Sequence, residues 1–263
     1  MAYPCQRVRV GGVVSGSTIT GGQNLETFGY GFEVWGGSLA SPPPVGADPR
    51  VLYLDGRPKG RRYWDGKQIV LSLIVLYVDP ATGNILTSRG EHLEGNTDTL
   101  LGLLVTDAPV VIERDQADGS TRFIEGWVAA AFPVGQEKDV RSLVVPVDCV
   151  TPWWQGKTEH STTITGSGNI TTLGNAPNVS NPIINFPGDG LLTHTTSGDT
   201  VQVTGSTGAV TVDVGRRTVM MGGNPAANVL RVSSGHWLRM VKGLNTFTEV
   251  GANPTIKYRD QWV

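Results

Sequence analysis

The chain has 263 residues, enough for one large domain or two of ordinary size. Its 35 Gly and 16 Pro, its many Val and Thr and its scarce Ala-Leu-Glu-Lys texture point to mostly β structure. Residues 1–150 hold 13 basic and 17 acidic side chains and residues 151–263 hold 8 and 6, so neither half has the basic excess of a dedicated nucleic-acid binder.

Met1 to Cys5 lacks a basic stretch followed by an apolar core, so no signal peptide is expected. The longest apolar run, Ile69 to Val78, is interrupted by Ser72 and is far too short to span a bilayer, so direct membrane insertion is not expected. Cys5 and Cys149 form neither a disulfide framework nor a metal motif, and read as two free thiols.

From the N-terminus, residues 6–20 alternate as two short strands around Gly11-Gly12. The aromatic-dense Phe28 to Trp35 reads as another strand, and Pro42-Pro43-Pro44 as a polyproline connection. Val51 to Leu54 leads into Asp55-Gly56, and Arg61-Arg62-Tyr63-Trp64 leads into Asp65-Gly66. Both are hairpin signals, because Asp-Gly suits turns that need φ > 0. A long strand follows from Gln68 to Val78, then a loop over Asp79 to Asn84. One helix is expected, capped by Asn96-Thr97 and carrying Leu100, Leu101, Leu103 and Leu104 on an apolar side. Strands are expected at Ala108–Arg114, Thr121–Phe132 and Val140–Val150, with a hairpin turn over Asp115 to Ser120. Residues 1–152 therefore read as a β-barrel or sandwich with one short helix.

The composition breaks at Asp148 to Lys157. Residues 160–212 contain only two charged side chains, Asp189 and Asp199, among 17 Ser and Thr. Pro152 restricts Thr151 and ends a strand. Pro152, Trp153 and Trp154 read as an inter-domain seam, with the two indoles packed rather than displayed. Beyond it, Ile164, Ile170, Leu173, Ile183-Ile184, Val201/Val203 and Val210/Val212 recur between Gly, Asn and Pro turns. The pattern continues through Arg217–Met221, Val229–Val232, Trp237–Val241, Phe247–Val250 and Thr255–Tyr258. Short strands at this spacing make residues 153–263 a jelly-roll-like β-sandwich.

The chemistry-bearing inventory is thin. His92, His160, His194 and His236 are the only histidines. Glu91-His92-Leu93-Glu94 has no second His or Cys at ligand spacing and reads as a solvated loop. No nucleophile elbow, phosphate loop or dinucleotide fingerprint is present, so neither catalytic, metal nor cofactor-binding residues are assigned. Arg61, Arg62, Tyr63 and Trp64 form the one basic-aromatic cluster and read as a hairpin tip or protein contact. Trp237 is the candidate for the alternative reading, a carbohydrate-binding module that contacts cell-wall glycans through an aromatic shelf.

Several motifs carry a resemblance. They are Pro152-Trp153-Trp154, Gly174-Asn-Ala-Pro177, Pro182-Ile-Ile-Asn-Phe186-Pro-Gly188, Val212-Asp213-Val-Gly-Arg216-Arg217-Thr-Val219, Trp237-Leu-Arg-Met-Val-Lys-Gly243-Leu-Asn245 and Ile256-Lys-Tyr258-Arg-Asp-Gln-Trp262. In this order they resemble the distal tail proteins of long-tailed, non-contractile bacteriophages. The resemblance implies a ring of six built by residues 1–152 with a galectin-like sandwich projecting outward. It implies a virion protein of the tail tip, made in the host cytoplasm. The implied partners are its own copies, the tail tube protein and the tail-tip hub protein, with the tape measure protein and side fibres as further candidates. Locally, Gly243 permits a tight reversal, Asn245 bonds its own backbone, and Gly215 is expected to turn the 213–219 hairpin.

Overall fold

In a computed structural model, the residues described are 6–25, 31–35, 44–45, 63–64, 67–76, 89–105, 107–137, 140–149, 151–176, 178–179, 182–232 and 237–263. By its internal contacts the chain divides into two compact units, Met1–Trp154 with Val263, and Gln155–Trp262.

The first unit contains β1 (Gln6–Val10), β2 (Val13–Ser15), β3 (Thr18–Thr20), β4 (Gln23–Asn24), β5 (Gly31–Trp35), β6 (Pro44–Val45), β7 (Tyr63–Trp64) and β8 (Gln68–Leu76). These are followed by α1 (Arg89–Leu104), β9 (Val110–Asp115), β10 (Thr121–Val128), β11 (Phe132–Glu137) and β12 (Val140–Cys149). The main sheet runs β4-β1-β9-β10-β12-β8-β5, each pairing antiparallel. The length of β12 lets one of its edges serve two neighbours, β11 along its first half and β10 along its last three residues. Period-two alternation places Ile69, Leu71, Leu73 and Val75 of β8 beside Leu143, Val145 and Val147 of β12 in the core. In the hairpin turn before β10, the Asp118 Oδ1 accepts the Ser120 N–H at 2.8 Å.

The helix differs from expectation. It begins at Arg89, so Asn96 and Thr97 are interior and His92 is helical rather than in a loop. Thr97 is buried, and its hydroxyl donates back to the Leu93 carbonyl at 2.6 Å instead of capping an N-terminus. The buried stripe is Leu93, Thr97, Leu100 and Leu104, at helical spacing, and α1 packs on β8 and β12. Gly90, Gly95 and Asn96 in the first turns disguise this helix in sequence, because they are poor helix formers and tertiary packing rather than propensity holds it. A second difference is Pro44, which ends the polyproline run but also opposes Trp64 in the short β6–β7 ladder. Val51 to Arg62 and Asp79 to Asn84 lie outside the described residues.

The second unit follows from the last residues of β13 (Trp154–Gly156). It contains β14 (His160–Thr163), β15 (Ser167–Thr172), β16 (Asn178–Val179), β17 (Ile183–Phe186), β18 (Gly190–His194), β19 (Asp199–Val203), β20 (Val210–Asp213) and β21 (Thr218–Met221). Then come β22 (Asn224–Pro225), β23 (Leu230–Val232), β24 (Met240–Val241), β25 (Gly243–Gly251), β26 (Thr255–Tyr258) and β27 (Gln261–Trp262). Two sheets form a β-sandwich, β14-β26-β17-β20-β21-β22 and β15-β25-β18-β19-β23. Its core interleaves Ile184, Phe186, Val210, Val212 and Ile256 of one sheet with Ile170, Leu192, Val201, Val203 and Phe247 of the other. Together the units are mostly β with one α-helix among the described residues, as the sequence predicts. Leu173, an apolar recurrence in sequence, is instead 75 % exposed. It lies three residues from buried Ile170, so a period-two strand turns it outward. At the 213–219 hairpin the positive φ belongs to Arg217 (56°), not Gly215, while the Asp213 carboxylate accepts the Arg216 N–H at 2.9 Å.

Candidate functional site

The conspicuous motifs of the second half converge on backbone geometry rather than on a reaction centre. The Asp260 carboxylate is buried; its Oδ1 accepts the Leu173 N–H at 2.7 Å and its Oδ2 lies 3.2 Å from His160 Nε2. His160 also stacks on Tyr258, with ring centroids 5.1 Å apart. The Arg259 guanidinium donates to the carbonyls of Gly156 and Lys157, and the Gly156 N–H donates to the Asp260 carbonyl. Gly174 is required here because a Cβ would fall 1.9 Å from the Gln261 carbonyl oxygen. The adjoining Ala176 N–H donates to that same oxygen at 3.0 Å. The closing Ile256-to-Trp262 segment is thus stitched to the strand entries at 156–160 and 173–176.

The Trp237-to-Asn245 motif closes similarly. Gly243 has φ +87°, a conformation L side chains rarely adopt. Asn245 is fully buried; its Oδ1 accepts the Val241 N–H at 2.7 Å, and its Nδ2 donates to the Val241 and Gly243 carbonyls at 2.9 Å each. Thr172 grips the same turn from β15, donating to the Val241 carbonyl and accepting the Gly243 N–H, each at 3.0 Å.

A His-Ser-Asp cluster closes the β18–β19 hairpin and was not singled out in sequence. Ser197 Oγ donates to Asp199 Oδ2 at 2.9 Å and lies 2.8 Å from His194 Nδ1. With its one proton committed to the carboxylate, the hydroxyl accepts from Nδ1–H. The imidazole therefore holds the proton it would have to receive, which is the wrong order for nucleophile activation. Burial pushes the His194 pKa down, opposed by Asp199. The cluster is a structural clamp on the turn, where the Gly198 N–H also bonds the His194 carbonyl at 2.8 Å. Among the described residues no group of three or more His, Cys, Asp or Glu is placed to hold a metal ion.

Of the residues singled out in sequence, Trp153 and Trp154 are both buried, and the division between units falls directly after Trp154. Lys67 Nζ lies 5.8 Å from the Trp154 ring centroid; burial pushes this amine down to about 8. Cys149 is buried and free, and burial pushes its thiol up to about 12. Tyr63 and Trp64 form β7, while Arg61 and Arg62 lie outside the described residues. Trp237 packs partly buried against the sandwich core, which occupies part of the face a sugar shelf would use. His236 lies outside the described residues.

The surface residue that sequence reasoning missed is Trp127, 48 % exposed on β10. It opposes Asp148 on β12, which opposes Gln68 on β8, so the three form one cross-strand row. Gln68 Nε2 donates to Asp148 Oδ1 at 2.8 Å, leaving the indole beside a fixed polar pair. Buried neighbours Phe123 and Ile124 break the alternation that would have marked Trp127 as outward.

A protein-family model for the siphovirus-type tail component, C-terminal domain, matches residues 187–262. The crystal structure of the Dit protein of phage SPP1, described there as a paradigm of hub adsorption apparatus in Gram-positive-infecting phages, shares the fold. The TM-score is 0.67 at 16 % identity, covering 98 % of this chain and all of that one. Chains of the phage P2 baseplate in its activated conformation align over the same 98 %, with Ca (TM-score 0.46, 11 % identity) and with Sr (0.44, 10 %). No curated protein matches. Residues 187–262 thus match the C-terminal domain of a siphovirus-type tail component, and the chain shares its fold with the SPP1 Dit protein.

Proposed function

We propose that this chain is a structural hub protein of a phage tail tip, with no catalytic role. Residues 1–152 assemble head-to-tail into a ring of six that joins the tail tube protein to the tail-tip hub protein, and residues 153–263 form a peripheral platform for other tip proteins. The observation that carries this reading is the tail-component family match at 187–262 within a chain that shares the fold of SPP1 Dit over 98 % of its residues. A cyclic ring needs two different complementary surfaces per subunit. The Trp127–Asp148–Gln68 row and the Arg61-to-Trp64 stretch are the candidates on the first unit, the former because a half-exposed Trp beside a fixed polar pair suits an interface anchor. Pro152, Trp153 and Trp154 hand the chain from ring unit to platform; replacing both indoles with Ala should open a protease site near Gly156. The tape measure protein and side fibres are further candidate partners. Made in the host cytoplasm, the protein ends in the virion tail tip.

Negative-stain imaging of purified protein, alone and with tail tube protein, tests the reading. Six-fold rings are expected, and antibody label should fall at the tail tip of virions. A chain that stays monomeric with tube protein and is missing from virions would refute it.

A further inference from the structure

The geometry points to β15 as a strand-accepting edge, the place where an uncharged extended segment of another tail protein adds to the sandwich. The hydrogen-bond phase of the sheet carries the argument. Glu249 N–H bonds the Gly166 carbonyl, and Thr195 N–H bonds the Thr246 carbonyl. Antiparallel pairing alternates, so residues 245, 247 and 249 of β25 bond toward β15, while 246, 248 and 250 bond toward β18. On β15, residues 168 and 170 therefore face the ladder, and the N–H and C=O groups of Asn169 and Thr171 face outward. Among the described residues no strand other than β25 pairs with β15. Its exposed row of Asn169, Thr171 and Leu173 continues onto Leu244, 57 % exposed and directly opposite Thr171.

Natural edges are blunted by charge, Pro or shortness. The edge strand β23 is three residues long and carries Arg231, and β22 is two residues long and ends in Pro225. At the β14 edge, His160 faces Asp260 and the preceding Glu159 pairs with Lys257 and Arg259. β15 spans six residues, SGNITT, with no charge and no Pro. Its neighbouring outward row on β25, from Leu244 through Thr246 and Thr248 to Val250, is likewise neutral. An electroneutral, β-branched segment matches this surface: backbone bonds hold it while Leu173 and Leu244 receive an apolar side chain. Twofold pairing of β15 with its own copy does not propagate around the cyclic head-to-tail ring proposed above, and this choice of occupant rests on that reading.

Amide hydrogen exchange on the full chain provides the test, with a capped synthetic peptide of alternating Thr and Val as probe. Exchange at Asn169 and Thr171 should be fast in the free chain and slow about tenfold with millimolar peptide. The same peptide with every amide N-methylated should give no protection. Thr171→Pro removes an edge-facing donor without removing a ladder bond, and should abolish protection while leaving the thermal transition in place. If that variant does not fold, Thr171→Lys, which adds the missing edge charge, should weaken protection instead. The inference is overturned by no protection with the peptide, by equal protection with its methylated form, or by protection in the free chain that rises with protein concentration. None of these outcomes depends on ring imaging, so either reading can fail without the other.

Discussion

Asn245→Ala should lower the stability of the second unit by about 3 kcal/mol. The side chain is fully buried and makes three bonds of 2.9 Å or less within one turn. Its loss orphans the Val241 N–H, at about 1–3 kcal/mol for an unsatisfied part-buried donor. The two carbonyl bonds add less, since the Val241 carbonyl keeps its bond from Thr172. For a unit of this size the melting transition should fall by about 10–15 °C. Calorimetry on the full chain would show the transition of the second unit moving while that of the first stays in place. Thr172→Val removes the other grip on this turn, so the double variant should depart from additivity by about 1 kcal/mol. A single-variant loss below about 1 kcal/mol, or strict additivity, would refute the claim that this side chain holds the turn.

Gly174→Ala should cost the second unit about 3 kcal/mol, read as a shifted denaturant midpoint, because its Cβ would fall 1.9 Å from the Gln261 oxygen and must push the closing segment away. His194 titrates below its ordinary 6.5 because burial disfavours the imidazolium. The unfolded chain then binds the proton more readily, so this contribution is present above pH 6.5 and is lost as pH falls through the lower folded value. His194→Gln should flatten the acid limb of the stability curve. Cys149, buried with its thiol pushed up to about 12, should resist a disulfide reagent at neutral pH until the first unit unfolds; immediate labelling would contradict that burial. Trp127→Ala should leave melting within about 0.5 kcal/mol of wild type but reduce ring assembly in light scattering.

Alternation and turn residues made much of the fold legible. The strand at 140–149, the Asp118-Gly119 turn and the succession of sandwich strands stand where apolar periodicity places them, whereas the strand expected over Thr121–Phe132 ends at Val128 and a separate one runs from Phe132 to Glu137. The Gly243 reversal and the backbone-bonding Asn245 were legible too, because a positive φ and an amide beside its own turn are local properties. The helix start was not, since Arg89 to Gly95 forms helix only by packing Leu93 and the following stripe on β8 and β12. Gly215 was expected to make its hairpin and Arg217 does so, held by the Asp213 contact to Arg216 N–H.

By itself, then, the sequence determined the β character, much of the strand succession along the chain and turns such as those at Asp118-Gly119 and Gly243, all set by interactions within a few residues. Tertiary structure decided which distant groups meet: Asp260 with Leu173 and His160, Gly174 with Gln261, and Trp127 with Asp148 and Gln68. It also decided which sheet edge has no partner strand among the described residues, because the phase of a ladder is set by pairing with its neighbour, and period-two alternation alone carries no record of that partner.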